Sequence, residues 1–98
     1  MRDTVYIVTT DNLPVQDWLL DRMSGWDRTT YREQVRQHGL RSIAVEDWAY
    51  CWEQGDDVFD TFEEAKADAD ERTGVHHVLT LTIEDVEEAI RRLVGIEE

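Results

Sequence analysis

The carboxylates between positions 56 and 64 come closest, by residue type and spacing, to catalytic or metal-binding chemistry. Clustered carboxylates can bind a hard cation such as Ca²⁺ or Mg²⁺, and mutual repulsion can raise the pKa of one of them towards neutrality. The spacing does not fit an EF-hand loop, because Gly55 precedes the acids instead of lying among them. The five acids are Asp56, Asp57, Asp60, Glu63 and Glu64.

The other potential ligands and nucleophiles do not form a recognisable site. His76 and His77 are adjacent on a predicted strand, so their side chains point to opposite faces and cannot readily share a metal. Cys51 lies between two aromatic residues and is expected to be a small buried residue, whose pKa an acidic environment raises. We predict no catalytic residue, no metal and no cofactor. A carboxylate-based, metal-dependent enzyme using the acids above with a histidine is kept as an alternative.

Charge is the most informative property of this 98-residue sequence. Ten Lys and Arg residues stand against 23 Asp and Glu residues, which gives a net charge of −13. Such a charge repels phosphates, and therefore argues against direct binding of nucleic acid or of an anionic membrane. The acids are concentrated between residues 46 and 71, where eleven of them are opposed only by Lys66. This asymmetry favours a binding surface over uniform acidity.

A predicted helix in the second half of the sequence carries a stripe of acids. When residues are placed at 100° intervals, its acids occupy an arc of roughly 160° opposite Phe62, Ala65 and Ala69. Such a stripe suits docking to a strongly basic surface. The alternative is a solvated face that only improves solubility. The acids of the stripe are Glu63, Glu64, Asp68, Asp70 and Glu71.

An aromatic cluster is the second candidate binding feature. Residues 42–52 are predicted to form a strand that places Trp48, Tyr50 and Trp52 on one face, flanked by acids, as in many protein interfaces. The alternative is that these aromatic residues pack beneath the C-terminal helix. The complete set of predicted partner-binding residues is Glu46, Trp48, Tyr50, Trp52, Glu53, Asp56, Asp57, Asp60, Glu63, Glu64, Asp68, Asp70 and Glu71.

The elements that must position these residues form a single predicted α+β domain over residues 1–98. Strands are predicted at 4–10, 42–52, 58–59 and 75–83, and helices begin after Pro14, near Thr30, near Thr61 and near Thr82. This order resembles the ferredoxin-like βαββαβ plan, an antiparallel sheet with helices on one face, with an added C-terminal helix. Because no membrane-spanning run or signal peptide is apparent, we expect a cytoplasmic protein.

These observations predict a non-enzymatic, acidic interaction protein that occludes a basic, nucleic-acid-binding surface of a larger partner. In size and charge the chain resembles phage-encoded inhibitors of host defence, which include anti-CRISPR proteins and DNA mimics. The alternative is a housekeeping or self-associating domain whose acidity reflects a halophilic or GC-rich organism. A homodimer formed through the aromatic face is a further alternative.

Overall fold

The computed structural model describes residues 3–53, 55 and 57–95, which form an α+β fold. In this part of the chain, three strands form one antiparallel sheet in the order β2-β1-β3, accompanied by five α-helices. None of those helices is both long enough and apolar enough to cross a membrane. The elements are β1 (Thr4–Thr9), α1 (Val15–Met23), α2 (Arg28–His38), α3 (Leu40–Asp47), β2 (Val58–Phe59), α4 (Phe62–Glu71), β3 (His77–Thr82) and α5 (Ile83–Val94).

Strand β1 occupies the centre of the sheet, as its β-branched sequence TVYIVT predicts. Tyr6 lies opposite Phe59 of β2 on one side and opposite Thr80 of β3 on the other. Among the described residues, β3 pairs only with β1 and therefore forms one edge of the sheet. Its outer backbone groups therefore face away from the other strands.

Helices cover both faces of the sheet, which corrects the prediction of helices on one face only. Val5, Ile7 and Leu81 point into the main core, which also contains buried residues of α1, α2, α3 and α5. On the second face, Val8 packs against Ala65 and Ala69 of α4. The reason is that β1 has apolar residues at consecutive positions, so both of its faces must be buried. Helix α4 therefore lies alone on the second face.

The predicted strand at 42–52 was wrong, because this segment is helical. Helix α3 continues at its C-terminal end into a π-helical turn, Trp48–Trp52, in which the Glu53 N–H donates to the Trp48 carbonyl at 2.9 Å. The buried residues of this segment are Ile43, Ala44, Trp48 and Trp52, and the last three of them are spaced four residues apart. A spacing of four places residues on one face of a strand and also close to one face of a helix, so the pattern did not discriminate. With three strands described, the full ferredoxin-like plan is not confirmed.

Side-chain caps mark the helix starts. Asp27 caps α2 by accepting from the backbone N–H groups of Thr29 and Thr30, so the cap predicted at Thr30 was three residues late. The predicted starts of α4 and α5 are confirmed. Thr61 accepts from the Glu64 N–H at 3.2 Å, and Thr82 forms a reciprocal capping box with Asp85.

Candidate partner-binding surface

Helix α4 holds its acids away from the sheet. Because Ala65 and Ala69 face the sheet and are buried, the remaining positions of the helix point towards its flanks and outwards. Four carboxylates are exposed, whereas that of Asp68 is only partly exposed. We refer to the four exposed residues as the acidic surface: Glu63, Glu64, Asp70 and Glu71.

Arg72 forms ion pairs with two of the predicted binding residues, Asp57 and Asp68, and we therefore do not count them as part of the acidic surface. Its Nε donates to Asp68 Oδ2 at 2.6 Å, and its Nη2 donates to Asp57 Oδ1, also at 2.6 Å. The hydrogen bond with Asp68, and then the one with Asp57, raises the pKa of the guanidinium, which keeps its charge. Asp57 and Asp68 are thus neutralised locally and tie the end of α4 to the turn before β2.

The acidic surface has little internal compensation. Lys66 Nζ lies 3.1 Å from Asp70 Oδ1, and Glu64 accepts a hydrogen bond from the Thr61 hydroxyl at 3.1 Å. Glu63 and Glu71 form no ion pair with any other described residue. The α4 helix therefore presents more negative charge than its single lysine can balance, which is the arrangement that the sequence predicted.

The aromatic cluster does not form an exposed face, so the predicted aromatic interface was wrong for two of its three members. Trp48 is fully buried and Trp52 is 4% exposed, and both belong to the main core. Tyr50 points to the opposite side of the π-helical turn and is 82% exposed. For Trp48 and Trp52 the structure agrees with the alternative of core packing. Neither indole can contact a partner unless the core opens.

The predicted binding residues divide between opposite faces of the sheet. Glu46 lies in α3, and Glu53 directly follows the π-helical turn. The buried residues of both segments pack on the face of the sheet opposite α4. Asp60 is exposed between β2 and α4. Asp56 lies outside the described residues. The structure therefore brings together the acids of α4 but does not join them to the aromatic residues.

A half-buried pair between α2 and α3 titrates abnormally. The Tyr31 hydroxyl donates to Asp47 Oδ2 at 2.5 Å. Burial raises the pKa of Asp47, although the hydrogen bond from Tyr31 partly opposes this effect. Burial, followed by the hydrogen bond with Asp47, raises the pKa of Tyr31. This hydrogen bond joins α2 to α3. Because Asp47 is partly buried, its ionisation lowers the stability of the folded state.

Replacement of Asp47 by Asn should change the pH dependence of stability. The folded chain keeps the Asp47 proton to a higher pH than the unfolded chain, so the stability contributed by this group is lost as pH rises above the usual Asp value of 3.8. Asn stays neutral and can still accept from Tyr31. We expect the stability of Asp47→Asn relative to wild type to increase between about pH 3 and pH 7. Urea unfolding across this range measures it, and a pH-independent difference would refute the assignment.

A cavity of about 410 Å³ lies at the C-terminal end of β1. It is lined by Trp18, Cys51, Arg72 and Arg22, among others, and the Arg22 guanidinium lies 4.0 Å from the centre of the Trp18 ring. Cys51 is exposed, contrary to the sequence prediction. Partial burial and, to a lesser degree, Asp47 raise the pKa of its thiol, which disfavours the nucleophilic thiolate.

The described residues also lack the geometry of a metal site. No three of their His, Cys, Asp and Glu side chains come together in an arrangement that could hold an ion. Both arginines that line the 410 Å³ cavity form ion pairs with acids: Arg72 binds Asp57 and Asp68, and Arg22 lies 3.4 Å from Asp11.

A second cavity, of about 310 Å³, lies between β3, α4 and the loop after β1, and it was not predicted from the sequence. We call it the edge groove. Leu13 and Phe62 line it and are 41% and 48% exposed, although the apolar stripe of α4 predicted that Phe62 would face the sheet. Instead, its ring contacts Tyr6 edge-on with centroids 6.3 Å apart. The full lining is Asp11, Asn12, Leu13, Phe62, Lys66, His76, His77, Val78 and Leu79.

The edge groove and the acidic surface adjoin, because Phe62 and Lys66 of the groove belong to the same helix as the acids. Helix α4 thus combines an apolar side chain at its start with carboxylates along its outer side. Charged groups beside an exposed apolar patch are typical of protein interfaces. Comparison with protein-family models, with curated proteins and with solved structures finds no match to this chain.

Proposed function

We propose that this chain is a non-enzymatic interaction protein that acts in the cytoplasm. Its acidic surface binds the basic surface of a larger partner, and that basic surface otherwise binds nucleic acid. The observation that carries the proposal is the set of four exposed carboxylates held on the outer side of α4, with only Lys66 of the helix to oppose them. Binding would therefore block access of nucleic acid to the partner.

Electrostatics supply the physical basis of the proposal. Like charges three or four positions apart on a helix repel by a few tenths of a kcal/mol per pair, and a basic partner would convert this repulsion into attraction. A surface of one sign also accelerates and orients the encounter with a surface of opposite sign. Small phage-encoded inhibitors such as anti-CRISPR proteins and DNA mimics have this combination of small size and high negative charge.

The second candidate function is a self-associating or housekeeping domain whose acidity reflects its organism. It is favoured by exposed acids outside α4, such as Asp17 and Asp21 of α1. Under this alternative, exchanging acids on either helix should have equal consequences, because no single face is selected for binding. The contrast between α4 and α1 therefore separates the two candidates.

Affinity capture from a host lysate tests the proposal with three baits. They are the wild type, the α4 variant Glu63→Lys/Glu71→Lys, and the matched α1 variant Asp17→Lys/Asp21→Lys, which has the same net charge as the α4 variant. We expect the wild type and the α1 variant to retain one nucleic-acid-binding protein that high salt releases, and the α4 variant to lose it. Equal recovery by all three baits, or recovery of no such protein, would refute the proposal.

A further inference from the structure

The outer edge of β3 presents backbone groups at two alternating positions. In the antiparallel pairing of β1 with β3, the Ile83 N–H donates to the Asp3 carbonyl at 3.3 Å, which identifies the hydrogen-bonded pairs. Because these pairs alternate along the ladder, the N–H and C=O groups of Leu79 and Leu81 face β1. The corresponding groups of Val78 and Thr80 face outwards.

No other described part of the chain covers these outward groups. Thr82 ends the strand, and its N–H donates to Asp85 Oδ2 at 2.9 Å, whereas the backbone groups of Val78 and Thr80 form no hydrogen bond with another described residue. The sequence of β3, HVLTLT, also lacks the charged residues and proline that protect many edge strands from pairing. The edge is therefore competent to accept another strand.

The edge groove follows this same edge. Val78 and Leu79 are consecutive residues whose side chains lie on opposite faces of β3, and both line the groove. On the α4 side, the groove is completed by Phe62 and Lys66. The edge groove would thus hold apolar side chains of a strand added to β3. Pockets for alternate side chains give strand addition its specificity.

We propose that an extended segment of the basic partner adds to β3 as a fourth strand of the sheet, an inference that rests on the proposed function. Its Lys or Arg side chains face α4, and an apolar side chain enters the edge groove. Helical geometry places Glu63 and Asp70 on the same flank of α4 as the groove residues Phe62 and Lys66. Charge complementarity thus selects a basic segment.

Charge disfavours a second copy of this chain at the same edge. A two-fold pairing of β3 with its equivalent would form a continuous antiparallel sheet, and α4 of both copies would lie on the same face of that sheet. The acidic surfaces would then repel each other, in a protein that already carries a net charge of −13. At this edge the acidic surface would attract a basic segment and repel a second copy of the chain.

Amide hydrogen exchange, measured by NMR with a defined peptide, tests the strand addition. The probe is a blocked heptapeptide of alternating Lys and Val, and the control peptide replaces every Lys with Glu. We expect the Lys-Val peptide to slow exchange of the Val78 and Thr80 amides, whereas those of Leu79 and Leu81 are protected beforehand by β1. The Glu-Val peptide should leave all four unchanged.

The other outcomes overturn the proposal in distinguishable ways. Peptide binding that perturbs α4 but leaves the Val78 and Thr80 amides unprotected would refute strand addition and leave the acidic surface as the binding site. No binding of the Lys-Val peptide at low salt would count against the proposed function as well. Protection of both amides in a dimer without peptide would show that a second copy occupies the edge.

A pair of substitutions at Thr80 gives an independent test. Thr80→Pro removes an N–H that points away from β1, a position at which an edge strand tolerates proline, whereas Thr80→Ala keeps this donor. We expect the proline variant to bind the Lys-Val peptide about tenfold more weakly and the alanine variant to bind within about twofold of wild type. A folded proline variant with unchanged affinity would refute the proposal. If it does not fold, the exchange experiment on the wild type decides.

Discussion

Replacement of Trp48 by Ala is expected to lower the free energy of unfolding by about 4 kcal/mol. Trp48 is fully buried and is the largest such side chain in the described part of the chain. Its removal leaves a cavity beneath α3 and α5 and forfeits the burial of an indole. Urea unfolding, followed by circular dichroism, measures the loss, and Trp48→Phe provides a milder variant should the alanine variant not fold.

Tyr50→Ala is the matched control for Trp48→Ala. Tyr50 lies in the same π-helical turn, but it is 82% exposed, so we expect its removal to change stability by no more than about 0.5 kcal/mol. Equal losses for the two variants would contradict the assignment of Trp48 to the core. If Trp48→Ala were as stable as wild type but failed to bind the partner, Trp48 would be an interface residue after all.

Reversal of two charges on the acidic surface should have the largest effect on partner binding. We expect Glu63→Lys/Glu71→Lys to weaken affinity for the captured partner about hundredfold at about 0.1 M salt, which corresponds to about 2.8 kcal/mol. Both side chains are exposed and lack an ion partner among the described residues, so the exchange should leave the fold intact. The difference should shrink near 1 M salt, where the Debye length falls to about 3 Å.

The α1 variant Asp17→Lys/Asp21→Lys controls for net charge in the same titration. It changes the total charge by the same amount and also replaces exposed residues of a helix, but that helix packs on the opposite face of the sheet from α4. We expect its affinity to remain within about threefold of wild type, because only long-range attraction is reduced. A hundredfold loss in this variant too would reduce the interaction to non-specific charge attraction.

Sequence patterns predicted those elements whose signals were local and mutually consistent. The six residues of β1 are all β-branched or aromatic, and α5 combines a capping threonine, Thr82, with a full apolar face. Four of the five acids of the α4 stripe are exposed as predicted, because the two alanines fix which side of that helix is buried, whereas Asp68 is half-buried and binds Arg72. Charge exposed on the opposite side follows directly from helical geometry.

The segment 42–52 could not be assigned from sequence alone. Three of its four buried residues, Ala44, Trp48 and Trp52, recur every four positions, which satisfies strand alternation and helical periodicity almost equally. β-branched and aromatic residues such as Ile43, Val45 and Trp48 then favoured a strand, and tertiary packing overrode that propensity. The predicted aromatic interface failed for the same reason, because it depended on the strand.

The groove and the open strand edge depend on tertiary structure. Leu13 belongs to the loop after β1 and Phe62 begins α4, so their proximity at the β3 edge follows from how α4 lies across the sheet. Sequence gives no strand order, and it therefore could not show that β3 is an edge strand. The hydrogen bond from Arg72 to Asp57, fifteen residues away in the chain, depends on tertiary structure in the same way.

A competition experiment with nucleic acid tests whether this protein occludes the nucleic-acid-binding surface of its partner. Fluorescence anisotropy would follow a labelled oligonucleotide bound to the captured partner while this protein is added at constant salt. We expect the wild type and the α1 variant to displace the oligonucleotide fully, whereas the α4 variant should displace it only at about hundredfold higher concentration. A ternary complex in which partner, oligonucleotide and wild-type protein remain bound together would contradict occlusion of the nucleic-acid-binding surface.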